Sequence, residues 1–222
     1  MFDALLSIIA PHYCYRCHKI GGILCKDCKK YIISQKYDIC VLCGQSLKNG
    51  NLCKKHKIPC DMIWCFTKRT GVVAEIIDDY KFNRVQAAAN LLSDFLNDAL
   101  PSLPKEAVIV PIPTISQNIR RRGFGHIEKI ANKLARNRKI ECRPLLRRRN
   151  NVTQHFTKSS RQRKRQAEDF FELSGSVDKN RRYIIIDDIF TTGSTVLAAA
   201  ECLRKNGAEH VEIAVIARHG RP

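Results

Sequence analysis

Two groups of residues in this sequence have types and spacings suited to chemistry. Closely spaced cysteines lie near the amino terminus, and an adjacent pair of aspartates follows an apolar run near the carboxyl terminus. Thiols at short spacing are typical of metal binding, whereas carboxylates beside small hydroxyl residues suit a sugar phosphate. The two groups therefore predict two units with different tasks.

The amino-terminal cysteines form two groups, each built from two short pairs. Each pair directs two ligands to one ion from a tight turn, so that two pairs complete a tetrahedral zinc site. Four protein ligands leave no open position for catalysis, and we expect two structural Zn²⁺ ions. The expected ligands are Cys14, Cys17, Cys25 and Cys28 in one site and Cys40, Cys43, Cys53 and His56 in the other.

The pairing of these ligands leaves alternatives open. Short loops favour sequential grouping, but a cross-braced arrangement would use the same residues, and Cys60 could replace His56. Nine of the 11 cysteines precede residue 66. This asymmetry predicts a double zinc-finger module over residues 1–61 and a second domain over residues 62–222.

The second domain shows alternating strand and helix patterns. Apolar runs predict strands, and stripes of apolar residues at helical spacing predict helices between them. Such alternation indicates an α/β fold with a parallel sheet, helices on both faces and a ligand site at the carboxyl ends of the strands. The predicted strands are 62–67, 107–110, 183–186 and 210–216, and the predicted helices are 72–80, 87–100, 124–137 and 194–206.

The acid pair lies at one such strand end. Asp187 and Asp188 follow a buried run, and the loop after them consists of threonine, glycine and serine before a helix begins. Backbone N–H groups and hydroxyls at a helix N-terminus bind phosphate, while carboxylates accept hydrogen bonds from vicinal hydroxyls. No GxxxxGK[ST] sequence occurs, which disfavours a P-loop and ATP hydrolysis.

This combination resembles the motif of type I phosphoribosyltransferases that binds 5-phosphoribosyl 1-diphosphate (PRPP). Together with the zinc ligands it resembles the ComF/GntX family of competence-associated proteins from residue 14 to about residue 218. Further matching blocks are Tyr80–Phe82, Val110–Pro113, Arg122–Phe124 and Thr153–Phe156. Two departures are the absence of the family's usual Asn at Gly125 or His126, and His56 in place of a usual Cys.

The resemblance implies a phosphoribosyltransferase-like domain behind a zinc-ribbon module. It implies that the two aspartates bind the ribose 2′ and 3′ hydroxyls, that Arg122 faces the pyrophosphate, and that Mg²⁺ accompanies PRPP. The 5′-phosphate would be bound by Thr191, Thr192, Gly193, Ser194 and Thr195.

A strongly basic segment lies between the predicted strands 107–110 and 183–186. The chain carries a formal net charge of +18, and no acid occurs from residue 142 through 167. The segment is a solvated loop, a mobile lid that neutralises pyrophosphate, or a surface that grips the backbone of a nucleic acid. The nucleic-acid candidates are Arg147, Arg148, Arg149, Lys158, Arg161, Arg163, Lys164 and Arg165.

The family resemblance supplies the functional expectation. It implies a ComF-like protein that handles single-stranded DNA during natural transformation, beside a competence helicase, and that keeps a PRPP site. The alternative is an active phosphoribosyltransferase with an unknown nucleobase or amine acceptor. Clustered reduced cysteines and the lack of an apolar run of about 18 residues favour a cytoplasmic protein without a membrane span.

Overall fold

The computed structural model describes residues 12–35, 37–83, 85–115, 119–120, 123–149 and 170–220. None of the helices in these ranges is both long enough and apolar enough to cross a membrane. The helices are α1 (Lys26–Ser34), α2 (Gly71–Phe82), α3 (Ala88–Ala99), α4 (His126–Arg138) and α5 (Ser194–Lys205). The strands are β1 (Met62–Lys68), β2 (Val108–Pro111), β3 (Glu141–Cys142), β4 (Leu146–Arg148), β5 (Phe171–Leu173), β6 (Arg182–Phe190) and β7 (His210–Arg218).

A parallel five-stranded sheet forms the centre of the fold. Its strand order is β1-β7-β6-β2-β3, so the two longest strands are neighbours near the middle. Strands β4 and β5 pair antiparallel in a separate two-stranded sheet. Because parallel strands run in the same direction, their carboxyl ends lie at one edge of the sheet. The acid pair of β6 lies toward that edge.

The sheet separates two apolar cores, as successive residues of a strand face opposite sides. In β6, Ile184 and Ile186 face helices α2, α3 and α4, while Tyr183 and Ile185 face α5. All four side chains are fully buried. Burial on both faces explains the continuous apolar run of this strand.

The predicted fold class is confirmed: an α/β phosphoribosyltransferase-type parallel sheet with helices on both faces and cysteine clusters before it. The eight predicted strands and helices are present with ends shifted by a few residues. The short strands β3, β4 and β5 were not predicted, because segments of two or three residues carry no readable periodicity. Helix α1, nine residues long within the cysteine-rich segment, was also not predicted.

The cysteine-rich segment packs on both cores rather than standing apart. Ile23 and Ile32 join the core beneath α2 to α4, and Tyr37 and Val41 join the core beneath α5. Apolar contacts therefore join residues on both sides of positions 61 and 62. The predicted division of the chain into two domains at that point stays a prediction.

Asn51 closes the exposed edge of the sheet at β1. Its backbone N–H donates to the Ile63 carbonyl at 2.7 Å, and its side-chain oxygen accepts from the Cys65 N–H at 2.7 Å. The amide nitrogen donates to the carbonyls of Tyr37 and Ile39. Asn51 is 3% exposed and thus imitates a neighbouring strand while fixing the cysteine-rich segment to the sheet.

Candidate functional site

The two aspartates of β6 point to opposite faces of the sheet because they are consecutive residues of one strand. Asp188 lies on the side of Ile184 and Ile186, where α2 and α4 pack, and it is only 5% exposed. Asp187 lies on the other side and is half-buried. The prediction treated the acids as equivalent, whereas their surroundings differ.

Asp188 is held by two basic side chains from two helices. Its Oδ2 lies 2.7 Å from the Lys81 Nζ of α2 and 3.0 Å from the His126 Nε2 of α4. Burial disfavours its charge, but the hydrogen bond with His126 and the positive charge of Lys81 outweigh burial and lower the pKa of Asp188. Asp188 is therefore an ionised, internally paired carboxylate.

Asp187 has the opposite electrostatic character. Burial and the charge of neighbouring Asp188 raise its pKa, against the pull of Lys81 and Arg148. The Asp187 side chain accepts a hydrogen bond from the Asp188 N–H at 2.9 Å. Carboxylates with strongly perturbed pKa values cluster at functional sites, where catalysis and binding require them.

The loop after β6 begins helix α5 with its donors exposed. Gly193 caps the helix at φ +79°, and a Cβ there would overlap the ring of Phe190. Thr192 and Ser194 are exposed, and their hydroxyl oxygens lie 3.1 Å apart. The Ser194 N–H lies 3.4 Å from the Thr192 hydroxyl, and the N–H groups of a first helical turn have no partner within the helix, so a helix start of this kind is suited to bind a phosphate.

A polar network supports the loop that follows β2. The Thr114 hydroxyl lies 3.2 Å from the His126 Nδ1 and 3.3 Å from the Glu128 carboxylate. Gly125 caps α4, and a Cβ there would overlap that carboxylate. Gly125 and His126, the departures from the family sequence, are thus both built into the site.

The antiparallel strands β4 and β5, here called the basic hairpin because β4 carries Arg147 and Arg148, approach the same site through Arg148. Its Nε donates to the Pro113 carbonyl at 2.9 Å, and its guanidinium lies 5.2 Å from the Phe171 ring centroid. Burial lowers the pKa of Arg148, and the charge of Asp187 opposes this shift. Arg148, predicted as a nucleic-acid contact, therefore lies beside the acid pair.

The other predicted basic residues are placed differently or lie outside the described residues. Arg147 is exposed, and the Arg149 Nε lies 3.8 Å from the Glu172 carboxylate. The predictions that fall outside the described ranges are Arg122, Lys158, Arg161, Arg163, Lys164 and Arg165.

The structure brings the cysteines together in the sequential grouping. The ligand atoms of Cys14, Cys17, Cys25 and Cys28 lie within 4.8 Å of one another, as do those of Cys40, Cys43, Cys53 and His56. Cys60 lies in the core beneath α5, where burial raises the pKa of its thiol to about 12. The arrangement favours His56 over Cys60 as the fourth ligand.

Both clusters fit the size and chemistry of Zn²⁺. The Sγ atoms of Cys17 and Cys25 are 3.7 Å apart, and so are those of Cys43 and Cys53. Two thiolates at tetrahedral angles on zinc stand about 3.8 Å apart, whereas disulfide sulfurs stand about 2 Å apart. The Nε2 of His56 is buried and has no hydrogen-bond partner among the described residues, and a metal would satisfy it.

Sequence reasoning missed Lys81 and His126 as site residues. Both lie in or beside the blocks that resemble ComF/GntX, but a lysine on an amphipathic helix normally predicts a solvated side chain. Only the packing of α2 and α4 against β6 brings these residues to Asp188.

Comparison with known proteins identifies the family. Residues 84–222 match the phosphoribosyl transferase domain, and the chain belongs to this family. The DNA utilization protein YhgH of Escherichia coli O6:H1 is 27% identical over 229 residues, covering 95% of this chain and 99% of YhgH. Competence protein F of Haemophilus influenzae is 28% identical, covering 88% and 90%, and Competence protein ComFC of Bacillus subtilis is 27% identical, covering 83% and 79%. Together they confirm the predicted ComF family.

Solved structures with a related fold are more distant. The adenine phosphoribosyl transferase of Trypanosoma brucei is 18% identical with a TM-score of 0.40, covering 63% of this chain and 56% of that chain. The allosteric regulatory enzyme of purine biosynthesis is 18% identical with a TM-score of 0.42, and the match spans 57% of this chain and 25% of the enzyme. The fold assignment depends on the sheet order and the family match instead.

The zinc sites predict a stoichiometry. Purified protein should contain two zinc ions per chain by elemental analysis, because each cluster supplies four ligands. Cys25→Ser should lower this to about one, whereas Cys142→Ser, outside both clusters, should leave it at two. Zinc-free protein with disulfides would contradict the assignment.

The two aspartates should affect stability in opposite directions at pH 8. Asp188→Asn leaves the buried Lys81 ammonium without its charge partner and should lower the free energy of unfolding by about 3 kcal/mol. Asp187→Asn removes a buried like charge and should raise it by about 1 kcal/mol. Urea unfolding measures both.

The pH dependence separates these effects further. The stability from Asp188 is present above the ordinary aspartate pKa of about 4 and is lost as pH falls through its lowered folded pKa. Ionised Asp187 lowers the free energy of unfolding. This loss begins above a pH of about 4 and grows until the pH passes the raised pKa of Asp187 in the folded protein. Equal changes in the free energy of unfolding of the two variants at all pH values would contradict the different environments of Asp187 and Asp188.

Proposed function

We propose that the chain is a ComF-like protein that handles single-stranded DNA during DNA uptake and keeps a PRPP-binding site at the carboxyl edge of its sheet. The observation that carries the proposal is the acid pair beside the exposed helix start at Gly193, in a chain whose relatives are named for competence and DNA utilization.

The phosphoribosyl part of the proposal assigns roles to residues on both sides of the edge. The ribose hydroxyls bind the acid pair, and the 5′-phosphate binds Thr191, Thr192, Gly193, Ser194 and Thr195. Lys81 and Arg148 add positive charge beside the acids. By the family resemblance, the pyrophosphate is assigned to Arg122. Mg²⁺ enters bound to the pyrophosphate and ribose oxygens of PRPP.

The DNA part depends on charge. A net charge of +18 attracts polyanions by releasing their counterions, and exposed Arg147 lies at the start of the basic segment. The proposed phosphate contacts are the basic residues of this segment, including Arg161, Arg163 and Arg165. The proposal includes a competence helicase as a partner. It also includes the cytoplasm as the compartment, because reducing conditions there keep zinc-binding thiols reduced.

A second candidate function has its own supporting observation. Arg148 ties the basic hairpin to the Pro113 carbonyl at the loop after β2 and lies near Asp187. A segment anchored there is suited to close over bound PRPP and to neutralise the leaving pyrophosphate. This arrangement favours an active phosphoribosyltransferase whose acceptor is a nucleobase or an amine.

Paired binding assays test the proposal. Calorimetry should detect Mg²⁺-loaded PRPP on the zinc-loaded protein, and Gly193→Ala should abolish this binding because its Cβ would overlap Phe190 at a positive φ. The matched control is Gly207→Ala, which places the same strain at φ +95° with no atom near the added Cβ. Gly207→Ala should keep PRPP binding, and both variants should keep DNA binding.

The basic segment separates the two candidates. Replacing Arg161, Arg163 and Arg165 with Ala should weaken single-stranded DNA binding and lower the log–log salt slope by roughly 0.7 for each lost phosphate contact. A wild-type slope, with pyrophosphate release lost on supply of an acceptor, would favour the transferase. Wild-type protein that fails to bind PRPP would contradict the phosphoribosyl site.

A further inference from the structure

Arg218 joins separate segments of the chain at the end of β7. Its side chain is buried, and its Nε donates to the Val41 carbonyl at 2.9 Å while its Nη1 donates to the Phe190 carbonyl at 3.4 Å. The guanidinium also lies 5.5 Å from the centroid of the Phe190 ring. A guanidinium presents its donors in a rigid planar fork, so one side chain can fix carbonyl groups of separate segments relative to one another.

Phe190 carries this contact to the helix start at Gly193. It is the last residue of β6 and is buried, and a Cβ at Gly193 would overlap its ring. The backbone of Gly193 therefore lies directly against the ring. The Gly193 carbonyl accepts a hydrogen bond from the Leu197 N–H at 2.9 Å, which begins the ladder of α5. The direction of the N–H groups in this first turn thus depends on where the Phe190 ring lies.

Val41 holds the other end of the contact inside the second cysteine cluster. It lies between the ligands Cys40 and Cys43 and is fully buried, and its N–H donates to the Asn51 carbonyl at 2.9 Å. The turn that brings both cysteines to one ion also sets the position of the Val41 carbonyl. Because structural zinc supplies folding free energy to the turn that binds it, this carbonyl is held most firmly when the cluster is loaded.

We infer that Arg218 is a positioning residue of the phosphate site at the helix start, and that it couples the second zinc cluster to the phosphate affinity of that site. The inference rests on the proposed function, since it concerns the same helix start. Arg218 acts through Phe190 and not by binding the phosphate itself. Coupling between two sites is reciprocal, so a bound phosphate raises the zinc affinity of the second cluster by the same factor.

The first cluster provides the contrast, because its segment packs on the opposite face of the sheet. Ile23 and Ile32, which flank ligands of the first cluster, join the core beneath α2 to α4. Val41 and Phe190 instead join the core beneath α5. Zinc in the first cluster is therefore expected to leave the contact between Arg218 and Phe190 unchanged.

Arg218 variants test the positioning role. Calorimetry on the zinc-loaded full chain would measure ribose 5-phosphate binding to the wild type, Arg218→Met and Arg218→Lys. Methionine keeps much of the apolar volume without a donor, and lysine keeps the charge without the planar fork. We expect both variants to bind about tenfold more weakly, a typical effect for coupled sites, while two zinc ions per chain remain. Wild-type affinity in both variants would overturn the inference.

Arg204→Met is the matched control at the opposite end of α5. Arg204 also joins separate segments, since it donates to the Pro59 carbonyl at 3.2 Å and the Ala208 carbonyl at 3.4 Å and pairs with Asp61. Its replacement removes comparable contacts far from Gly193, and we expect wild-type affinity for ribose 5-phosphate. Equal losses of affinity in Arg204→Met and Arg218→Met would reveal a general structural effect and overturn the positioning role.

Zinc affinity gives a second, independent readout. Competition with a chromogenic chelator would measure the zinc dissociation constant of Cys25→Ser, which retains the second cluster, and of Cys43→Ser, which retains the first. Saturating ribose 5-phosphate should lower this constant about tenfold in Cys25→Ser and by less than about twofold in Cys43→Ser. Adding Arg218→Met to Cys25→Ser should remove the effect. Equal effects on both clusters, or an effect that persists without Arg218, would overturn the coupling.

Failure of the proposed function gives a different result. If the wild type binds neither ribose 5-phosphate nor PRPP, the phosphate site itself is wrong and the inference falls with it. If the wild type binds them and the Arg218 variants bind as tightly, the proposed function stands and only the inference falls. If Arg218→Met fails to fold, Arg218→Lys and the zinc affinity of Cys25→Ser decide.

Discussion

A carboxylate cannot stay ionised inside a protein without partners, and Asp188 meets this constraint with Lys81 and His126. The three residues are far apart in sequence and belong to β6, α2 and α4, so that one ion pair fixes two helices to the central strand. Asp187 lies on the other face of the same strand. Burial and the negative charge of Asp188 raise the pKa of Asp187, against the positive charge of Lys81 and Arg148.

A second set of contacts joins the cysteine-rich segment to the loop between β6 and α5. Arg218 at the end of β7 donates from Nε to the Val41 carbonyl, inside the second cysteine cluster, at 2.9 Å. Its guanidinium lies 5.5 Å from the ring centroid of Phe190, the ring that leaves room only for glycine at position 193. The second cysteine cluster thus contacts the end of β7 beside the helix start at Gly193.

Much of the fold was predictable because its long strands and helices follow strong periodicities. The run Tyr183–Ile186 predicts a strand buried on both faces, and the spacing of cysteines predicts both clusters. The different surroundings of Asp187 and Asp188 were not predictable, because they depend on which helix packs on each face of the sheet. Arg148 shows the same limit: the local charge run suggests nucleic acid, whereas tertiary contacts bring it to the Pro113 carbonyl.

The most direct test of the central claim is a crystal structure of the zinc-loaded protein with Mg²⁺ and PRPP. The account predicts the 5′-phosphate at the first turn of α5, within hydrogen-bond distance of the Thr192 and Ser194 hydroxyls. It also predicts the ribose hydroxyls at the acid pair of β6. PRPP bound elsewhere on the chain would contradict the site.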